Sequence, residues 1–126
     1  MLLVNDPVYI NSPGYPTKPY PNDIKCIWDF RNDKVPYLLT FQMLDLKTEE
    51  KADFVEVRNK DEEGYILRKY SGNSFNGAVV TAADSHLWIK FQSDFESNDK
   101  GFRAVVYPGR IVFQNCYYKQ QANFAT

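Results

Sequence analysis

The sequence predicts an all-β protein, and specifically a β-sandwich. Short apolar segments recur along the chain with turn-forming residues between them, about every eight to twelve residues, and this spacing is typical of sandwiches. Aromatic residues make up 16% of the chain, which favours strands, and no stretch shows helical periodicity. A length of 126 residues is enough for one domain with its own core.

The first third of the chain is predicted to hold a long loop and a hairpin. Proline, glycine and asparagine dominate residues 5–25, so this stretch is a loop that follows a short strand at residues 8–10. Residues 26–30 and 37–43 each carry an apolar side chain at every second position, with turn formers between them. These two segments are therefore predicted to form a β-hairpin.

The rest of the chain continues with short strands. Apolar and polar side chains alternate in most of them, and polar or glycine-containing turns separate one from the next. A final apolar segment, residues 110–113, is predicted to add an edge strand, followed by an extended polar and aromatic tail. The other predicted strands are 53–58, 65–70, 78–81, 87–92 and 102–107.

Two aspartates occupy matching ends of two predicted strands. Asp53 opens the strand at residues 53–58, and Asp94 follows the strand at residues 87–92. If these strands are antiparallel neighbours, both carboxylates lie at the same rim of the sheet. This pair is the one feature of the sequence that suggests a site.

The charge balance excludes several classes of function. The chain has 15 basic and 16 acidic residues, and they are interspersed, so neither a nucleic-acid-binding stripe nor a polybasic membrane patch is present. No apolar run approaches the roughly 18 residues that would insert into a bilayer.

Enzymatic activity is not expected. The only histidine, His86, follows Asp84 and Ser85, but consecutive residues entering a strand point to alternate faces and cannot converge as a catalytic triad. No phosphate-binding loop, HExxH motif or nucleophile elbow occurs. The sequence therefore predicts no catalytic residues.

Seven segments, in order along residues 8–107, resemble the CUB domain family of complement proteases and developmental metalloproteinases. The family opens with the pattern SPxYPxxYPxxxxCxW, and the match continues through the later strands. The matching segments are NSPGYP (11–16), YPN (20–22), CIW (26–28), DFVEVR (53–58), KYSG (69–72), FQSD (91–94) and GFRAVVY (101–107).

The resemblance implies a jellyroll-like β-sandwich of two antiparallel sheets in a secreted protein or the extracellular part of a larger one. It implies a CUB-like domain over residues 1–108, with residues 109–126 as a C-terminal extension. The implied function is noncatalytic binding of an extracellular protein through rim loops. Two alternatives stay open: a stand-alone carbohydrate-binding protein with a glycan ligand, and a structural module that dimerises through its C-terminal tail.

The cysteines depart from the family pattern. Cys26 matches a usual position, but its usual upstream partner is missing, and Ser71 stands where a second bridge would place a cysteine. Cys116 lies beyond the usual end of the domain. We therefore expect a nonstandard bridge between Cys26 and Cys116, with free or intermolecular thiols as the alternative.

Many members of the family bind calcium at the rim, and the resemblance implies the same ligands here. Asp53 and Asp94 match two of the carboxylate ligands, and Tyr15 matches a supporting tyrosine. The third ligand in the family is a glutamate, but the matching position here is Lys47. Its ammonium group would neutralise the two aspartates without a metal.

Other oxygen donors are available if calcium binds. The loop after Lys47 is acidic, and the segment after Asp94 contains an asparagine. Hard carboxylate and amide oxygens are the ligands that calcium prefers. The substitute ligands are Asp45, Glu49, Glu50 and Asn98.

Two aromatic residues are candidates for contact with a partner. Trp88 lies on the opposite side of its strand from Leu87 and Ile89, so it faces solvent or packs beneath a loop or the tail. Phe95 lies in the loop next to Asp94. Exposed aromatic side chains near a binding rim often anchor partners.

Overall fold

A computed structural model describes residues 7–32, 38–83, 85–108 and 110–119 of the protein. Within these ranges the regular structure is nine β-strands, which confirms the predicted all-β class. The strands are β1 (Val8–Asn11), β2 (Ile24–Arg31), β3 (Thr40–Lys47), β4 (Phe54–Asn59), β5 (Ile66–Tyr70), β6 (Val80–Thr81), β7 (His86–Gln92), β8 (Gly101–Tyr107) and β9 (Ile111–Tyr118).

The strands form two antiparallel sheets, as the resemblance implies. One sheet has four strands in the order β1-β8-β3-β6, and the other has five in the order β5-β4-β7-β2-β9. Every pairing between neighbouring strands is antiparallel. The molecule is therefore a two-layer β-sandwich.

The core lies between the sheets and is rich in aromatic side chains. Alternation along β2 buries Cys26, Trp28 and Phe30 while the residues between them stay partly exposed. Trp28 meets Phe102 of the opposite sheet edge to face, with ring centroids 5.7 Å apart. Burial of each such side chain contributes about 1.5–3 kcal/mol, so these contacts hold the two layers together.

One predicted pairing is wrong. Residues 26–30 and 37–43 were expected to form a hairpin, but β2 pairs with β7 and β9, whereas β3 pairs with β6 and β8. The two strands therefore belong to different sheets. Alternation predicts which face of a strand is buried, but it does not predict which strand lies beside it.

The C-terminal extension is more regular than predicted. The edge strand expected at residues 110–113 is the eight-residue strand β9, which runs from Ile111 to Tyr118 and so includes the first residues of the expected tail. It adds to the five-stranded sheet beside β2. The chain beyond the family-like region therefore belongs to the same folded unit up to residue 118.

Cys26 and Cys116 form a disulfide bond, so this prediction is confirmed. The two residues are register partners in the β2–β9 pair, and their Cα atoms are 4.0 Å apart. Cys26 is buried in the core face of β2, whereas Cys116 is exposed on the edge strand. The bridge therefore attaches the last strand to the sheet.

Removal of this bridge is expected to destabilise the protein. The bond closes a loop with a sequence separation of 90, for which chain entropy gives a stabilisation of at most about 4.5 kcal/mol. We predict that the double variant Cys26→Ala, Cys116→Ser loses free energy of unfolding up to this amount in denaturant titrations. Reduced wild type is the matched control and should unfold at the same denaturant concentration as the variant. Equal stability of the variant and the oxidised wild type would contradict the prediction.

Candidate metal centre

Three carboxylate groups meet at one rim of the sandwich. Oxygen atoms of Glu49, Asp53 and Asp94 all lie within 4.8 Å of one another. Asp53 directly precedes β4 and Asp94 lies two residues after β7, and these antiparallel neighbours pair Phe54 with Gln92. The register of the two strands therefore places the two aspartates side by side.

Asp53 is fully buried and its orientation is fixed by hydrogen bonds. One carboxylate oxygen accepts a hydrogen bond from the hydroxyl of Tyr20 at 2.5 Å, and the other accepts one from the backbone N–H of Asp94 at 2.8 Å. The carbonyl oxygen of Asp53 also accepts a hydrogen bond from the Thr48 hydroxyl at 3.1 Å. A buried carboxylate requires such partners, because an unpaired one is costly.

Tyr20 connects two of the acidic residues. Its buried hydroxyl donates to Asp53 and accepts a hydrogen bond from the backbone N–H of Glu49 at 3.1 Å. Burial, and the hydrogen bond to Asp53, raise the pKa of this hydroxyl. It therefore remains a protonated donor that positions both the Asp53 carboxylate and the loop carrying Glu49.

In the structure, Tyr15 does not occupy the supporting position that the sequence predicted for it. Tyr15 donates its hydrogen bond to the carboxylate of Asp45, which also accepts a contact from the ammonium of Lys100 at 2.9 Å. Both tyrosines precede a proline in the sequence motif, so the motif does not distinguish them. Tyr20 is the tyrosine that is hydrogen-bonded to Asp53, whereas Asp45 forms a separate surface cluster with Tyr15 and Lys100.

The carboxylates repel one another. Burial, and the charge of Asp94, raise the pKa of Glu49. Burial also raises the pKa of Asp53, and hydrogen bonds from Tyr20 and Asp94 oppose this rise only in part. One carboxylate oxygen of Glu49, Oε1, is buried and has no hydrogen-bond partner among the described residues. A buried carboxylate oxygen without a hydrogen-bond partner, beside two further carboxylates, fits a bound cation.

Lys47 does not lie where it could neutralise the aspartates. Its ammonium nitrogen lies 4.0 Å from a carboxylate oxygen of Asp99, and the side chain is largely exposed. In the part of the chain that the structure describes, no ion pair joins it to the three carboxylates. The physical reason is alternation: Lys47 is exposed between the buried residues Leu46 and Thr48, so its side chain lies on the outer face of its sheet.

The structure separates the remaining candidate ligands. Glu49 joins the cluster, whereas the neighbouring Glu50 is exposed and is not one of the three residues. Asn98 is exposed in the loop between β7 and β8, which begins next to Asp94. The sequence offered no signal that distinguished Glu49 from Glu50, because the choice depends on the turn between β3 and β4.

The two aromatic candidates differ in accessibility. Trp88 is only 7% exposed, although it lies on the outer face of the five-stranded sheet opposite Arg58 and Asp29. Phe95 is 69% exposed and directly follows Asp94. Trp88 is therefore not an exposed anchor, whereas Phe95 lies beside the rim.

The histidine segment adds nothing to the rim. His86 is the first residue of β7, and its carbonyl oxygen accepts a hydrogen bond from the backbone N–H of Lys60. Asp84 lies outside the described residues.

A helix long and apolar enough to span a membrane does not occur in the described ranges.

A family model for the CUB domain matches residues 2–106. Among curated proteins, the chain is 35% identical over 99 residues to cubilin of Sus scrofa, 41% over 101 residues to neuropilin-1a of Danio rerio, and 34% over 106 residues to tolloid-like protein 1 of Mus musculus. Each match covers 75–76% of this chain, but only 3%, 10% and 10% of the respective relative. The chain therefore spans a small part of the relatives that it matches.

Solved structures agree in fold. The MASP-1 CUB2 domain bound to Ca2+ aligns with a TM-score of 0.69 and 18% identity, covering 80% of this chain and 91% of that domain. The CUB1-EGF-CUB2 fragment of human MASP-1/3 aligns with a TM-score of 0.64 and 26% identity, covering 84% of this chain and 42% of that fragment. Sequence and fold thus agree, and the chain belongs to the CUB domain family.

Proposed function

We propose that this chain is a noncatalytic protein-interaction module of an extracellular protein, and that calcium organises its binding rim. The observation that carries the proposal is the meeting of Glu49, Asp53 and Asp94, with a buried oxygen of Glu49 that lacks a partner. Three carboxylates supply the hard oxygens and the charge that calcium binding needs. The Ca2+-bound MASP-1 CUB2 domain supports the choice of metal.

The residues of the rim have distinct roles in this proposal. Glu49, Asp53 and Asp94 hold the ion, with Asn98 as a further oxygen donor from the following loop. Bound calcium supplies two positive charges that remove the repulsion among the carboxylates. Tyr20 positions Asp53 and the backbone of Glu49, so it holds the site in shape without being a ligand.

The partner is an extracellular protein that presents a lysine or an arginine to the rim. Three carboxylates and one calcium ion leave a net negative charge, and the adjoining loop carries the further acidic residues Glu96 and Asp99. Phe95 adds an exposed apolar surface next to Asp94. A cationic side chain with an apolar stem fits this combination of charge and aromatic surface.

Calcium is expected to stabilise the wild-type protein and not the variant Glu49→Gln. At a calcium concentration one hundredfold above the dissociation constant, the gain in free energy of unfolding is about 2.7 kcal/mol. Thermal melting in calcium and in EGTA measures it. The variant Glu50→Gln is the matched control and should keep the gain. Identical melting of the wild type with and without calcium would contradict the proposal.

The same variant should have the opposite effect when calcium is removed. In EGTA at neutral pH, Glu49→Gln should melt above the wild type, because it removes one of three repelling charges. A carboxyl group with a raised pKa stabilises the fold below its ordinary pKa and loses that contribution as the pH rises. The advantage of the variant should therefore disappear as the pH falls below about 4.5, the ordinary pKa of glutamate.

Tyr20→Phe is expected to weaken calcium binding without removing a ligand. The variant loses the hydroxyl that holds Asp53 and the Glu49 backbone, and partners that orient metal ligands affect affinity by about tenfold or more. Calorimetric titration with calcium measures the change. Tyr15→Phe is the matched control and should bind calcium as the wild type does. A weaker affinity for Tyr15→Phe, with Tyr20→Phe unaffected, would reverse the assignment.

Partner binding is expected to depend on calcium. We predict that binding to an array of secreted ectodomains, detected with the wild-type chain in calcium, is lost in EGTA and in the variant Asp94→Asn. Phe95→Ala should weaken the same contacts while leaving calcium-dependent melting intact. Array binding that persists in EGTA and with both variants would exclude the rim as the binding surface.

A further inference from the structure

Strand β9 is an edge of the five-stranded sheet among the described strands, and its residue types lack the usual protection against pairing. It runs from Ile111 to Tyr118 and pairs only with β2 among the described strands. Its sequence, IVFQNCYY, contains no charged residue, no proline and no glycine. Natural edge strands usually carry such residues because they prevent another strand from adding to the sheet.

The backbone hydrogen bonds of β9 alternate between the sheet and the open side. The N–H of Lys119 donates to the carbonyl oxygen of Asp23, and in an antiparallel pair every second residue repeats this pattern. Tyr117, Asn115 and Phe113 therefore bond towards β2. It follows that the N–H and C=O groups of Tyr118, Cys116 and Gln114 point away from the sheet and can pair with a further strand.

The side chains of β9 indicate which strand would fit. Phe113, Asn115 and Tyr117 lie on the outer face of the sheet, because their register partners on β2 alternate with the buried Cys26 and Trp28. Phe113 is 50% exposed and Tyr117 is 40% exposed. Two aromatic side chains thus flank a central asparagine at equal spacing.

We propose that β9 pairs antiparallel with β9 of a second copy of this chain, with the twofold axis at Asn115. This register is the one in which Phe113 of each copy faces Tyr117 of the other, which creates two aromatic cross-strand pairs. These positions do not exchange backbone hydrogen bonds across the new pair, so their side chains lie close. Gln114 of each copy then exchanges backbone hydrogen bonds with Cys116 of the other copy.

A second copy fits this edge better than a different strand does. An isologous interface must be complementary to itself, and an uncharged strand brings no like charges together. The Tyr118 end of β9 lies at the rim. Asp23 links the two, because its carbonyl oxygen accepts a hydrogen bond from the N–H of Lys119 and its own N–H donates to the carbonyl oxygen of Asp94. The antiparallel dimer therefore directs its two rims to opposite ends of one ten-stranded sheet.

The test uses the position on the twofold axis. Sedimentation velocity across a wide concentration series should give twice the monomer mass for the wild type at high concentration. Asn115→Lys and Asn115→Glu should each be monomeric, because each places like charges opposite each other. An equimolar mixture of the two variants should recover the dimer through opposite charges. Ser74→Lys, an exposed loop position, is the matched control and should dimerise as the wild type does.

Several results would overturn the proposal. These are a wild type that stays monomeric throughout, a dimer that persists in both Asn115 variants, and a mixture of variants that stays monomeric. A chain that dimerises only after removal of residues 120–126 would show that its own C-terminus covers the edge. Circular dichroism and melting temperatures of the variants establish that each one is folded before its mass is interpreted.

Discussion

The buried carboxylate of Asp53 is the interaction on which the rim depends. It accepts hydrogen bonds from Tyr20, in the loop after β1, and from the backbone of Asp94, after β7, while Asp53 itself directly precedes β4. Three distant parts of the chain are therefore joined at one charged group. Because an ionised group without partners is costly in the interior, any change that displaces Tyr20 or Asp94 also weakens the packing of the rim.

This arrangement sets stability against binding. Two groups of the cluster, Glu49 and Asp53, have a raised pKa, which means that the folded protein holds their negative charges at a cost. A chain built only for stability would place a lysine among them, and Lys47 lies near in sequence but contacts Asp99 instead. Repulsion that the fold leaves uncompensated is typical of sites that bind cations, because the ion supplies the compensation.

Alternation along the chain predicted most of the fold and part of the site. It indicated the buried faces of β2, β4 and β7. The matching ends of β4 and β7 indicated that Asp53 and Asp94 meet. It did not predict that β2 and β3 lie in different sheets, because strand pairing depends on contacts distant in sequence. The choices of Tyr20 over Tyr15, and of Glu49 over Glu50, depend on loop conformation, on which periodicity carries no information. The length of β9 was underestimated because its polar residues interrupt the apolar pattern.

The nonstandard disulfide and the open edge have one structural cause. Cys26 belongs to a strand whose usual cysteine partner would come from upstream, and here a strand from the other end of the domain supplies Cys116 beside it. In the β2–β9 register the two cysteines occupy a position that does not exchange backbone hydrogen bonds, where side chains of neighbouring strands are closest. The bridge fixes β9 to β2, so β9 cannot detach and remains the edge strand of the sheet. Because that edge carries no charge and no proline, its outward backbone groups remain able to pair, and attachment by the disulfide makes them a permanent feature of the folded surface.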